Sequence, residues 1–176
     1  MAVLNTHERR LPGSAAEVGA LLDSLASGDD RLWPRDRWPA MRFGRPLGAG
    51  AAGGHGMVRY TIDSYVPGRW IRFTFTRPTG FRGFHEFTVH ENGHGATLRH
   101  TMAVRLCGSG RLLWPLLFRW LHDALLEDCL DRAELAVTGR VPDPARWSPM
   151  VRALRHLALR TNARRTPRPA RPVRTH

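Results

Sequence analysis

Residues 112–134 read LLWPLLFRWLHDALLEDCLDRAE, and this stretch decides the architecture. Its spacing predicts a helix from 112 to about 137, stopped by Gly139. The first half carries Leu112, Leu113, Trp114, Leu116, Leu117, Phe118, Trp120 and Leu121, wider than the roughly 100° apolar stripe of a one-sided surface helix. Something besides solvent is expected to cover it. A run of strands precedes it, and a curved antiparallel sheet wrapped around the helix would supply that cover and leave space for an apolar ligand.

Residues 57–65 and 69–76 flank Pro67-Gly68, the pair favoured at the centre of a type II turn, and so read as a hairpin. Pairing Val66 with Arg69 sets Ser64 opposite Ile71, Ile62 opposite Phe73 and Tyr60 opposite Phe75 on one face. The other face pairs Asp63 with Arg72, Thr61 with Thr74 and Arg59 with Thr76, an exposed set with opposite charges opposed. A second hairpin spans 81–91 and 95–106, with Asn92-Gly93 as its turn signal. Parity puts His85, Phe87 and Val89 on one face of the first strand, and Leu98, His100, Met102, Val104 and Leu106 on one face of the second. A turn centred on Asn92-Gly93 pairs His85 with His100, and one centred on Gly93-His94 pairs His85 with Met102. Both registers turn the two histidines inward.

Upstream, residues 3–11 read as a strand closed by Pro12-Gly13. Ser14 and Glu17 form a capping box for a helix over about 14–26, with Val18, Leu21, Leu22 and Leu25 at helical spacing. Residues 29–40, with Trp33, Pro34, Trp38 and Pro39, suggest a short helix or a tight aromatic connector. Residues 41–47 allow a brief strand, and 48–56 read as a flexible loop. That loop begins GAGAAG, a literal GxGxxG, but a dinucleotide fingerprint needs a strand before it and a helix after it, and here Met57 opens a strand.

Composition bounds the rest. All 27 basic residues are arginine, which fits a high-GC genome better than a mechanism. Residues 1–139 hold 17 Arg against 14 acids, while 140–176 hold 10 Arg against one, so the high net charge belongs to the tail. Cys107 and Cys129 make neither a disulfide framework nor a zinc-finger spacing, and a reducing cytoplasm is the expected compartment. MAVLNTHERR lacks the apolar core of a signal peptide, and Arg119, His122 and Asp123 break the apolar run well short of a membrane span. The chain is expected to divide into a domain over 1–139 and a basic extension over 140–176. In the extension, 147–160 reads as a basic amphipathic helix, with Trp147, Met150, Val151, Leu154 and Leu157 on one side. Residues 161–176, rich in Arg and Pro, are expected to be disordered.

The order strand, capped helix, connector, antiparallel strands and long final helix is that of the α+β helix-grip fold, a curved antiparallel sheet wrapped around a C-terminal helix. The chain resembles the SRPBCC superfamily, the START and Bet v 1-like proteins often labelled polyketide cyclase/dehydrase-like. The resemblance rests on the opening strand, PGSAAEVGALLDSL, WPRDRWP, YTIDSYVPGRWIRFTF, TLRHTMAV and the 112–134 helix, and covers about residues 3–138. These are patterns of fold and not a catalytic signature. The resemblance implies a cavity between sheet and helix.

Tyr60, Ile62, Ile71, Phe73, Phe75, Phe87, Leu98, Met102 and Val104 are expected to line the sheet side of that cavity, facing Trp114, Phe118, Leu121 and Leu125. The same residues could instead make a filled core. His85 and His100 are the candidates for polar chemistry, as catalytic acid–base groups or as anchors for a ligand hydroxyl or carbonyl. Core histidines satisfied by each other, by Tyr60 or by water are the bland alternative. No metal site and no cofactor are expected, because no inward carboxylate or cysteine accompanies the pair at obvious spacing. Asp123, Glu127, Asp128, Asp131 and Glu134 read as a solvated outer helix face. The Trp-Pro pairs could cap the cavity mouth or pin the connector to the core.

These readings converge on a non-enzymatic carrier or binding protein for a small hydrophobic ligand, a lipid, polyketide or aromatic. An aromatase/cyclase-like enzyme is the alternative. A third reading has the basic tail contact an anionic membrane surface through the 147–160 helix; amphipathicity favours this over nucleic acid, where interleaved aromatics are expected. The oligomeric state is left open.

Overall fold

The computed structural model describes residues 1–163, with side chains through 157. The described residues divide into two units, Met1–Ala145 and a second that begins at Arg146. Within the first, β1 (Ala2–Leu11) is followed by α1 (Ala15–Asp23), β2 (Arg42–Phe43), β3 (Ala52–His55), β4 (Val58–Val66), β5 (Trp70–Arg77), β6 (Phe81–Asn92) and β7 (Gly95–Leu106). A continuous helical segment closes the unit: α2 (Gly110–Leu113), a π-helical turn (Trp114–Phe118) and α3 (Arg119–Thr138). The seven strands form one antiparallel sheet in the order β1-β7-β6-β5-β4-β3-β2. This is the α+β helix-grip arrangement expected from the sequence.

Local chemistry accounts for the element ends. Ser14 Oγ accepts from Glu17 N at 3.2 Å while Ser14 N donates to Glu17 Oε2 at 2.8 Å, the reciprocal capping box that starts α1. Gly139, at φ 73°, takes the left-handed conformation that ends α3, its N–H bonded to Leu135 O. Pro115 has no N–H to give, and around it the helix widens into a π turn in which Arg119 N reaches Trp114 O. Gly68, at φ 71°, occupies the left-handed position of the Pro67-Gly68 turn.

Two registers differ from the simplest reading. Tyr60↔Phe75, Thr61↔Thr74 and Ile62↔Phe73 pair as expected, but an irregularity before Tyr60 pairs Arg59 with Arg77 in place of Thr76, and a bulge after Ile62 shifts the turn end, so that Ser64 pairs with Arg72 and Tyr65 with Ile71. The extra residue puts Tyr65 on the face anticipated for Ser64. The β6–β7 hairpin uses the turn centred on Gly93-His94, pairing His85 with Met102 and Phe87 with His100. Both histidines stay on the inner face, as diagonal neighbours. Residues 52–55, expected in a loop, pair with β4 as a short strand.

The core lies between sheet and helix. Ile71, Phe73, Phe87, Leu98 and Leu106 are fully buried, as are Leu130 and Cys129 from α3. The apolar excess at the start of the helix is only half covered: Trp114 is buried, whereas Leu112 and Leu116 are each 68 % exposed and Trp120 is 41 % exposed. The expectation that the whole run must be covered is thus corrected, because the core takes up one side of these turns only.

In the second unit, α4 (Pro149–Ala163) begins at Ser148, whose Oγ accepts from Val151 N at 3.2 Å. The Arg155 guanidinium lies 4.6 Å over the Trp147 ring. The helix takes in 149–160 of the expected 147–160 stretch and runs through 163, into the tail expected to be disordered; 164–176 lie outside the described residues. None of the described helices is long and apolar enough to cross a membrane.

Candidate functional site

The inner face of the sheet places a row of rings across the interior of the first unit. His85 is the hub. Its ring lies 4.8 Å from Tyr60, 4.8 Å from Phe73, 4.9 Å from Phe75 and 5.4 Å from His100, centroid to centroid. His85 Nδ1 and His100 Nε2 are 3.2 Å apart, so one donates to the other and the tautomers are coupled. From Tyr60 the row continues to His55 and Trp33. From His100 it continues to His122 and His7.

Burial sets the charge state of this row. His85 and His100 are 5 % and 1 % exposed, and desolvation holds both well below the usual imidazole range, with repulsion from neighbouring histidines adding to the effect. Desolvation likewise holds His55 down to about 3 and pushes the Tyr60 phenol well up. All four are neutral near pH 7. Tyr60 Oη, His85 Nε2 and His100 Nδ1 are buried without a hydrogen-bond partner among the described residues.

The other predicted lining residues fall into place around this row. Ile62, Ile71, Phe87, Leu98 and Met102 are at most 1 % exposed. Met102, Val104, Leu106, Phe81 and Trp114 form one buried cluster, with Phe75 and Phe118 packed against it. Leu125 is buried and Leu121 half-buried. Close ring contacts fill much of the space that the sequence assigned to a cavity. An open groove of roughly 360 Å³ lies to one side, lined by Ala26, Asp30, Arg35, Met41, Arg42 and Phe43 among others. Phe43 also stacks on Phe73 at 6.0 Å and meets Tyr60 at 5.8 Å, so it belongs to both groove and interior.

The acidic residues of α3 are not a solvated outer face, which corrects the sequence reading. They meet the inner face of β1: Asn5 Nδ2 donates to Asp123 at 3.0 Å, His7 Nδ1 lies 2.7 Å from Glu127, and Arg9 binds Asp131 at 3.1 Å, Glu127 at 3.3 Å and also Glu134. Two strand residues advance about 6.7 Å and four helix residues about 6.0 Å, so Asn5, His7, Arg9 stay in step with Asp123, Glu127, Asp131. The two carboxylates hold the His7 imidazolium, raising it to about 9 against the cost of its burial. Asp128, 2 % exposed, instead accepts from Trp38 Nε1 at 2.6 Å and from Arg37 at 2.7 Å. The WPRDRWP connector is therefore pinned to α3. His7, His55, His122, Asp123 and Phe43 were missed as site residues; the alternation of Asn5, His7 and Arg9 along β1 was the signal that could have found part of the set.

No family model and no curated protein matches the sequence. Solved structures do match. CalU16 from Micromonospora echinospora aligns with a TM-score of 0.52 at 15 % identity, over 93 % of this chain and 86 % of that one. The di-domain ARO/CYC StfQ from the steffimycin biosynthetic pathway aligns with a TM-score of 0.58 at 12 % identity, over 79 % of this chain and 51 % of that one. Ara h 8.0201 aligns with a TM-score of 0.51 at 11 % identity, over 80 % of this chain and all of that one. At such identities the likeness is one of fold. With the seven-stranded sheet gripping its last helix, it identifies the first unit as having the helix-grip fold of the SRPBCC, Bet v 1-like proteins.

Proposed function

We propose that the Met1–Ala145 unit binds a small hydrophobic molecule bearing a hydroxyl or carbonyl group, without chemical turnover. The supporting observation is the trio of partnerless polar atoms, Tyr60 Oη, His85 Nε2 and His100 Nδ1, on neighbouring rings packed among Phe73, Phe75 and Phe87. Each unpaired buried group costs about 1–3 kcal/mol, and a ligand oxygen that reaches it offsets that cost. Apolar burial would add roughly 25 cal/mol per Å². Imidazoles held far below their usual range suit hydrogen bonding better than proton abstraction at neutral pH. Phe43 stands between groove and rings and would be the side chain displaced on entry. The two free cysteines fit work in a reducing cytoplasm.

Native mass spectrometry of the purified chain, followed by organic extraction, is expected to reveal a retained apolar molecule. His85→Leu should weaken its rebinding about 10-fold, the effect of one lost buried hydrogen bond, whereas Phe43→Ala should speed uptake. A protein that emerges empty and takes up none of a panel of apolar dyes would overturn the reading.

A second reading, aromatase/cyclase-like chemistry, takes support from the likeness to StfQ. It predicts that His85→Gln or His100→Asn abolishes turnover of a polyketide-type substrate while ligand retention persists. For the second unit, the exposed Met150 and Leu157 and the neighbouring arginines support contact with an anionic membrane surface. Deleting 140–176 should then abolish co-sedimentation with anionic liposomes.

A further inference from the structure

His7 from β1 and His122 and Asp123 from α3 bring three donor atoms within 4.8 Å of one another. His7 Nε2 lies 3.2 Å from Asp123 Oδ1, and His122 Nδ1 lies 3.5 Å from the same oxygen. Ligands 2.0–2.1 Å from a tetrahedral ion are separated by about 3.3 Å along each edge, so two edges of a coordination tetrahedron are already set. The carboxylate stands at the shared corner.

The surroundings are those a metal site needs. His7 Nδ1 is 2.7 Å from Glu127 Oε1, a contact that keeps a proton on Nδ1, so that a metal ion need displace only the proton that Nε2 shares with Asp123 at 3.2 Å. Asn5 Nδ2 donates to Asp123 Oδ1 and fixes the carboxylate. Arg119 lies 3.7 Å from the other oxygen, Asp123 Oδ2. A further observation points the same way: Asn5 Oδ1 is buried without a hydrogen-bond partner among the described residues, and His122 Nδ1, also buried, has only the long 3.5 Å approach to Asp123 Oδ1. A donor nitrogen left bare beside a carboxylate is costly unless something cationic joins them.

We propose that His7 Nε2, His122 Nδ1 and an Asp123 carboxylate oxygen form a three-ligand site for a divalent transition-metal ion of the zinc type. Two imidazoles and one carboxylate select such an ion over magnesium or calcium, which take all-oxygen shells. Three protein ligands leave a fourth position for water or a ligand heteroatom. His100, whose ring centre is 5.2 Å from that of His122, links this corner to the Tyr60–His85 row. The site does not depend on the binding function proposed above.

The test uses the full chain, stripped with a chelator and titrated with Co²⁺, whose visible absorption reports tetrahedral nitrogen and oxygen ligation, followed by competition with Zn²⁺. One equivalent is expected. His122→Asn, which removes a nitrogen whose only polar contact is the 3.5 Å approach to Asp123, should weaken binding by more than about 100-fold, and Glu127→Gln, at a half-exposed side chain, by about 10–100-fold. The surface double variant His90→Ala/His94→Ala should bind like the parent. Circular dichroism checks that each variant is folded. Absence of Co²⁺ uptake by the parent chain, an octahedral spectrum, or folded His122→Asn and Glu127→Gln proteins that bind as tightly as the parent would each overturn the proposal, as would loss of binding in the surface variant.

Discussion

Acidification from pH 7 to pH 5 is expected to destabilise the folded chain steeply. His55, His85 and His100 all have folded pKa values below the ordinary 6.5, principally through desolvation, His55 at about 3 and the other two well down. Below 6.5 the unfolded chain takes up three protons that the folded chain refuses, and a fourth at His122, which burial also holds below its ordinary value. Stability then falls with falling pH, and the fall continues until the folded pKa values are reached. Each such histidine contributes about 1.4 kcal/mol per pH unit, so the three approach roughly 4 kcal/mol per unit. Against a typical total of 5–15 kcal/mol, each pH unit on this slope removes a large fraction of the stability. His7 acts on the other side: its folded value is raised to about 9, so its contribution is full below 6.5 and is lost as pH rises through 9. A stability maximum near pH 6.5–7 follows. Urea unfolding from pH 4.5 to 9.5, with chelator present, reads it directly, and a flat profile between 7 and 5 would show that the inner histidines are protonated or solvated in the folded chain.

What the sequence revealed follows from the periodicity available at each position. Alternation is strong in β4 to β7, so the faces of Tyr60, Phe73, His85 and His100 were legible. The bulge after Ile62 was not, since an extra residue changes parity without changing composition. In the second hairpin, Asn92-Gly93 is the stronger turn signal, yet Gly95 at φ 146° ends the loop one residue later. The acidic helix face misled for a related reason. A row of carboxylates at helical spacing looks solvated unless its partners are known, and those partners, Asn5, His7 and Arg9, lie about 120 residues away on the inner face of β1. Only the alternation along β1 hinted that polar groups would point inward there. The helix capping, by contrast, is local, and Ser14, Glu17 and Gly139 behave as their sequence positions imply.

Asp128→Ala is expected to cost about 3 kcal/mol, a large effect for a single surface-free carboxylate. Its side chain is buried and accepts from Trp38 Nε1 at 2.6 Å and Arg37 at 2.7 Å. Arg37 is half-exposed and can turn to water, but Trp38 is only 9 % exposed, so its indole N–H would lose a carboxylate acceptor in a place that water reaches poorly. Asp128→Asn keeps an acceptor for the indole and gives up the charge, so about half the loss is expected. A double-mutant cycle with Trp38→Phe separates the bond from the cavity: a coupling of about 1–3 kcal/mol assigns the loss to the pair, and additivity assigns it to packing. The consequence reaches the interior. Trp38 is followed directly by Pro39, Ala40, Met41, Arg42 and Phe43, so the connector that Asp128 holds also carries the ring that separates the groove from Tyr60 and Phe73. Asp128→Ala should therefore speed apolar dye uptake as Phe43→Ala does, even at temperatures where the variant remains folded. Uptake kinetics unchanged in Asp128→Ala but faster in Phe43→Ala would mean that Phe43 holds its place through β2 and β3 alone.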